Sequence, residues 1–64
     1  MIRVIGRTGF SSNLEKSMKV RDIMEQLRLS DERFVSLLNG TPVTGDETVN
    51  PEDDLVFVEI FSGG

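Results

Sequence analysis

The chain contains no cysteine, histidine, tryptophan or tyrosine among its 64 residues. Without cysteine or histidine it has no ligands for a zinc-type site and no thiol or imidazole for catalysis. It also has no glycine-rich loop of the kind that binds phosphates. We therefore expect that the protein is not an enzyme, and that it has no metal site and no cofactor of its own.

Positive charge is also scarce, and long hydrophobic runs are absent. Seven Lys and Arg against eleven Asp and Glu give a net charge of -4, the wrong sign for binding a phosphate backbone. The longest apolar run, residues 55–58, is far shorter than the ~20 residues that a membrane helix needs. The first residues lack the pattern of a signal peptide. We expect a cytoplasmic monomer with neither nucleic acid nor membrane as a partner.

The N-terminal third predicts a β-hairpin. Ile2, Val4 and Gly6 alternate with more polar neighbours, a period typical of a strand with one buried face. This pattern predicts a first strand over residues 1–7. Thr8-Gly9 is a turn signal, and residues 10–18 are predicted to return as the second strand.

One helix is predicted over Val20–Leu27. Its four apolar side chains, Val20, Ile23, Met24 and Leu27, have the spacing that places them on one face of a helix. Lys19 stands where Ser, Thr or Asp would accept the first backbone N–H groups. Some fraying is therefore expected at the start of the helix.

The remainder predicts three more strands and a loop. Residues 34–38 form an apolar run that ends at Asn39-Gly40, a tight-turn signal. Residues 41–43 then suit a short edge strand, because Pro42 has no N–H to donate. Residues 45–54 are an acidic loop with room for one helical turn, where Val49 is the expected apolar contact. Residues 55–61 form the last strand.

These elements predict one α+β domain over residues 1–61, with one helix across one face of a sheet, and a free tail over residues 62–64. Alternation along the last two long strands leaves Leu37, Val56 and Val58 on the face that the helix does not cover. Such a patch is typical of a partner surface. Alternatively, Ile60 or Phe61 folds over it, or the alternation slips at a bulge.

Two further features have more than one interpretation. Asp53 and Asp54 are either a solvated charge run or an electrostatic docking edge for a basic partner. The terminal Gly63-Gly64 is either a trimmed end or a functional one. Two residues without Cβ can enter a slot too narrow for other residues, and the group delivered there is the terminal carboxylate.

The chain resembles the ubiquitin-like sulfur-carrier family in several features taken together. These are the order of elements, the turn Asn39-Gly40, the acidic pair before the last strand and the terminal Phe61-Ser62-Gly63-Gly64. The resemblance covers the whole chain. This family includes the small subunit of molybdopterin synthase, the thiamine-pathway sulfur carrier and archaeal small modifiers. It implies a β-grasp fold, with a mixed sheet of four to five strands and one main helix.

The resemblance also implies a function. An E1-like adenylyltransferase would use ATP to activate the Gly64 carboxylate. Gly63 would fit the narrow passage into the active site of that enzyme. A sulfur donor would then produce a thiocarboxylate for a sulfur acceptor enzyme. Alternatively, lysines of target proteins would be acylated to isopeptide bonds. Leu37, Val56, Val58, Ile60 and Phe61, with Asp53 and Asp54, would contact partners.

Two positions depart from the family pattern. The molybdopterin-type members have a proline pair before the tail, where this chain has Glu59-Ile60. The Thr or Ser that usually opens the helix is Lys19 here. A generic sulfur carrier or an archaeal modifier is therefore the nearer match. A third alternative is a plain β-grasp interaction domain whose tail is not activated.

Overall fold

The computed structural model describes residues 1–60 as seven strands and one helix. The strands are β1 (Ile2–Ile5), β2 (Phe10–Ser12), β3 (Met18–Lys19), β4 (Phe34–Leu38), β5 (Thr41–Val43), β6 (Thr48–Val49) and β7 (Leu55–Glu59), and helix α1 is Val20–Leu27.

Five strands form a mixed sheet in the order β2-β1-β7-β4-β5. β1 and β7 run parallel at its centre, and the other neighbours are antiparallel. β5 lies at one edge of this sheet. The N–H that Pro42 lacks is therefore not needed for a hydrogen bond to a strand beyond β5. The predicted α+β class, with one helix and a mixed five-stranded sheet, is confirmed.

Helix α1 has the predicted boundaries and lies on one face of this sheet. Lys19 makes no side-chain capping hydrogen bond. Instead, the N–H groups of Val20 and Arg21 donate to the carbonyls of Glu47 and Gly45, at 2.9 and 3.0 Å. The acidic loop therefore caps the helix that the sequence leaves uncapped. The helix ends at Arg28, whose φ of 58° is left-handed.

The core lies between α1 and the sheet. Its most buried side chains are those of Val20, Ile23, Val49, Leu55 and Phe57. Ile2, Val4 and Met24 complete the cluster. The apolar face of the helix is thus matched by alternate residues of the two central strands, and Val49 is the predicted apolar contact of the acidic loop.

The second predicted strand is wrong beyond Ser12. β2 is short and exposed, because Ser11 and Ser12 offer nothing to bury. Met18 pairs instead with Val49, forming a separate two-stranded sheet from β3 and β6. The loop over residues 45–54 therefore contains a short strand and no helix.

The remaining strand predictions differ mainly at their ends. β1 stops at Ile5, two residues before its predicted end, and β7 stops at Glu59. The Asn39-Gly40 turn is confirmed, because both residues have positive φ, 50° and 85°, as a two-residue hairpin loop requires.

Candidate functional site

The face of the sheet opposite α1, called the outer face below, carries an apolar patch. Leu37 lies opposite Val56, and Val35 lies opposite Val58 in the antiparallel pairing of β4 with β7. The side chains of Leu37, Val56 and Val58 are half-buried, whereas Leu55 and Phe57, on the other face, are fully buried. The predicted alternation therefore has the correct register, with no slip at a bulge.

The outer face is larger than the sequence predicted. Ile5 lies beside Val58 in the parallel pairing of β1 with β7. Its side chain is 51% exposed, and that of Val35 is 38% exposed. The sequence could have indicated Ile5, because it is an apolar residue at a position where the alternation along the strand predicts an exposed, polar side chain. Ile60 is exposed as well, at 52%.

The acidic pair at the start of β7 is tied into the fold. Both carboxylate oxygens of Asp53 accept hydrogen bonds, one from the Asn50 N–H at 2.9 Å and one from the Asn39 side chain at 3.2 Å. Asp54 pairs with Arg3 at 3.2 Å, and both of these side chains are about half exposed. Asp53 thus braces two turns, while Asp54 adds charge to one end of the outer face.

These hydrogen bonds also set the ionisation of Asp53. The bond from the Asn50 N–H, and then that from Asn39, lower the pKa of Asp53 from its ordinary value of 3.8. The positive N-terminal amino group contributes in the same direction. It donates to the backbone carbonyl of Asp53 at 2.8 Å. Asp53 is therefore a stable carboxylate at neutral pH.

The end of β7 is held from both sides. The Glu59 carboxylate accepts a hydrogen bond from the Arg7 N–H at 2.8 Å. The Ile60 N–H donates to the Arg33 carbonyl at 2.7 Å. Neither contact was predicted from the sequence. The predicted site residues Phe61, Gly63 and Gly64 lie outside the described residues.

A protein-family model, that of the ThiS family, matches residues 4–64. This match covers nearly the whole chain, from the first strand to the terminal Gly63-Gly64. The chain belongs to the ThiS family. It is thus a ubiquitin-like sulfur carrier with the β-grasp fold, and the resemblance found in the sequence is confirmed. No match was found among curated proteins.

ThiS-family proteins are small carriers rather than catalysts, and they work with E1-like activating enzymes and sulfur acceptors. Within residues 1–60, no group of three or more Asp or Glu side chains is placed to hold a metal ion. The same part of the chain has no helix that is long and apolar enough to cross a membrane.

Proposed function

We propose that the protein carries sulfur as a thiocarboxylate on its C-terminal residue, Gly64. The observation that carries this proposal is the ThiS-family match, which runs through residue 64 and so includes the terminal glycine pair. Residues 1–61 would be the folded domain that partners recognise. Residues 62–64 would be the segment that enters their active sites.

The chemistry follows from the poor reactivity of a carboxylate. An E1-like adenylyltransferase joins the Gly64 carboxylate oxygen to the α-phosphorus of ATP, and pyrophosphate leaves. A sulfur donor of the persulfide or sulfide class then attacks the acyl carbon, and AMP leaves with the bonding electron pair. A persulfide donor also needs a thiol to reduce the remaining sulfur–sulfur bond. The product is a thiocarboxylate, in which one oxygen is replaced by sulfur.

The outer face would dock the activating enzyme. The outer-face residues form an apolar surface on the sheet, and burying it would contribute hydrophobic binding energy; they are Leu37, Val56 and Val58, joined by Ile5 and Val35. Exposed Ile60 directly follows β7, so the surface that would bind the enzyme leads to the segment that would react. Asp54, beside it, would pair with basic residues at the rim.

Intact-mass measurement tests the proposal. The protein is incubated with ATP, a sulfur donor and an E1-like adenylyltransferase from the same genome. The expected product is heavier than the starting chain by the difference between one sulfur and one oxygen atom. A variant lacking Gly64 is the matched control, and its mass should not change.

Two other outcomes would overturn the proposal. Conjugates of higher mass, joined to lysines of other proteins, would show that the protein is a modifier. An unchanged mass together with stable binding to a partner would show that it is an interaction domain.

A further inference from the structure

We propose that Glu59 is a positioning residue, which fixes the point where the reactive C-terminal segment leaves the sheet. This inference rests on the proposed function, in which Gly64 reacts inside a partner enzyme. Its role would be exerted through the backbone of β7 and the residue after it.

The parallel pairing of β1 with β7 creates this contact. Ile5 lies opposite Val58, so Gly6, just after β1, and Glu59, the last residue of β7, lie side by side at the same end of the sheet. The Glu59 side chain bends over Gly6 and accepts the Arg7 N–H at 2.8 Å. A carboxylate that accepts a backbone N–H makes a stronger bond than a neutral acceptor does.

Gly6 is shaped for this role. A Cβ at position 6 would lie 2.4 Å from Glu59 Oε1 and 2.6 Å from Glu59 Cβ. Atoms cannot approach so closely, and the second contact is near the backbone, where the side chain cannot simply rotate away. Glycine at this position therefore leaves the space that the Glu59 side chain occupies.

The next residue is fixed from the opposite side. The Ile60 N–H donates to the Arg33 carbonyl at 2.7 Å, just before β4 begins. The end of β7 is thus held by the β1–β2 turn through Glu59 and by the start of β4 through Ile60. We call these two contacts the clamp.

Core packing alone does not explain Glu59. The alternation of side chains along β7 places Glu59 on the same face of the sheet as Leu55 and Phe57, which are fully buried. An apolar side chain would be the ordinary choice at such a position, yet the chain has a carboxylate that is only half-buried. The property that the carboxylate adds is a hydrogen-bond acceptor aimed at the Arg7 N–H.

The point where the C-terminal segment leaves the sheet matters because the reacting group is close to it in sequence. Only residues 61–63 lie between Ile60 and Gly64. Displacing a reacting group by ~1 Å can lower a rate about a hundredfold. Loosening the clamp should therefore slow activation more than it weakens docking on the outer face.

Three variants separate the hydrogen bond from the packing of the side chain. Glu59→Gln keeps an oxygen that can accept the Arg7 N–H. Glu59→Met keeps the length of the side chain and loses the acceptor. Gly6→Ala obstructs the space itself, because its Cβ would lie 2.6 Å from the Glu59 Cβ, and it should lower kcat as Glu59→Met does. Thermal unfolding of each variant confirms that it folds.

The first readout is adenylate formation by the activating enzyme, measured as pyrophosphate exchange. For Glu59→Met we expect kcat to fall about tenfold, less than for a direct ~1 Å displacement because residues 61–63 intervene, while KM for the carrier stays within about twofold. Glu59→Gln, which keeps a weaker, neutral acceptor, should stay much closer to the wild-type kcat than Glu59→Met does. Equal kcat for wild type and Glu59→Met would overturn the inference.

The second readout needs no enzyme. The ¹⁵N order parameter of the Ile60 amide should be about 0.85 in the wild type and in Glu59→Gln, and should fall toward about 0.6 in Glu59→Met. An unchanged value in Glu59→Met would also overturn the inference. If the wild type itself is never adenylated while the Ile60 amide loosens as expected, the proposed function fails and the clamp stands.

Discussion

At the residue scale, Asp53 and Asp54 are adjacent in sequence but have different surroundings. Asp53 braces two turns through hydrogen bonds to Asn50 and Asn39, whereas Asp54 pairs with Arg3 at the surface. An exposed ion pair adds little stability because water and salt screen it. The lowered pKa of Asp53 links the protonation of this carboxylate to folding.

Asp53 should make the protein sensitive to acid. Its pKa in the folded state is lowered from 3.8, the value expected for the unfolded chain. Its contribution to the free energy of unfolding is therefore complete above that value and is lost as the pH falls through the folded pKa. Urea unfolding between about pH 7 and about pH 3 should show a loss of stability at the acid end that is smaller in Asp53→Asn.

Glu52→Gln is the control for this prediction, since it removes a neighbouring carboxylate whose side chain is exposed. It should leave the acid dependence of the wild type unchanged. If Asp53→Asn and the wild type lose stability in parallel over the whole range, Asp53 is not the linked group.

At the scale of the element, helix α1 depends on its packing more than on its own sequence. Its first N–H groups are capped by the carbonyls of Glu47 and Gly45, and three of its eight residues are buried against the sheet. Isolated helices of this length are unstable in water. The helix therefore exists because the sheet and the acidic loop hold it.

Truncation of the helix should follow burial. Ile23 is 2% exposed, whereas Leu27 is only partly buried at the edge of the core. Ile23→Ala should lower the free energy of unfolding by ~2–5 kcal/mol, and Leu27→Ala by less. Gln26→Ala, on the exposed side of the helix, should stay within about 0.5 kcal/mol. Urea unfolding measures all three, and the reverse order for Ile23 and Leu27 would contradict the packing described.

The sheet has two apolar faces but needs only one of them for folding. Val58→Lys places a charge on the outer face, where the long side chain can reach water in the free protein. In a complex the same charge would be desolvated. Binding to the activating enzyme should weaken by about 2 kcal/mol or more, as at an interface hot spot, while the melting temperature changes little.

Gln26→Lys is the matched control, because it adds the same charge on the exposed side of α1. Titration calorimetry should show that this variant binds like the wild type. Equal weakening by both variants would mean that net charge, and not the outer face, governs the association.

At the scale of the whole molecule, the local patterns were predictable and the long-range pairings were not. The helix and the strand Phe34–Leu38 have clear periods of their own, so their limits could be read from the sequence. The pairing of Met18 with Val49 could not, because neither short segment has a pattern that indicates its partner.

The candidate site divides in the same way. The sequence predicted Leu37, Val56 and Val58 as exposed apolar residues because alternation within a strand is a local property. It gave no indication of the contact between Arg7 and Glu59, which are 52 positions apart. That contact depends on β1 lying parallel to β7, which is a property of the whole sheet.

The last prediction concerns the terminal glycines, where folding and function should separate. The buried core lies between Ile2 and Phe57, so deleting Gly64 should change the free energy of unfolding by no more than about 0.5 kcal/mol. The deletion draws the carboxylate back by up to ~3.5 Å, and adenylation should fall about a hundredfold or more. Gly63→Val should also slow it, because a β-branched side chain restricts the backbone and fills a narrow passage. Pyrophosphate exchange with the activating enzyme compares the three chains. Equal rates would show that Gly64 is not the reacting residue. If all three chains are also folded, that result would favour an interaction domain that acts through its outer face.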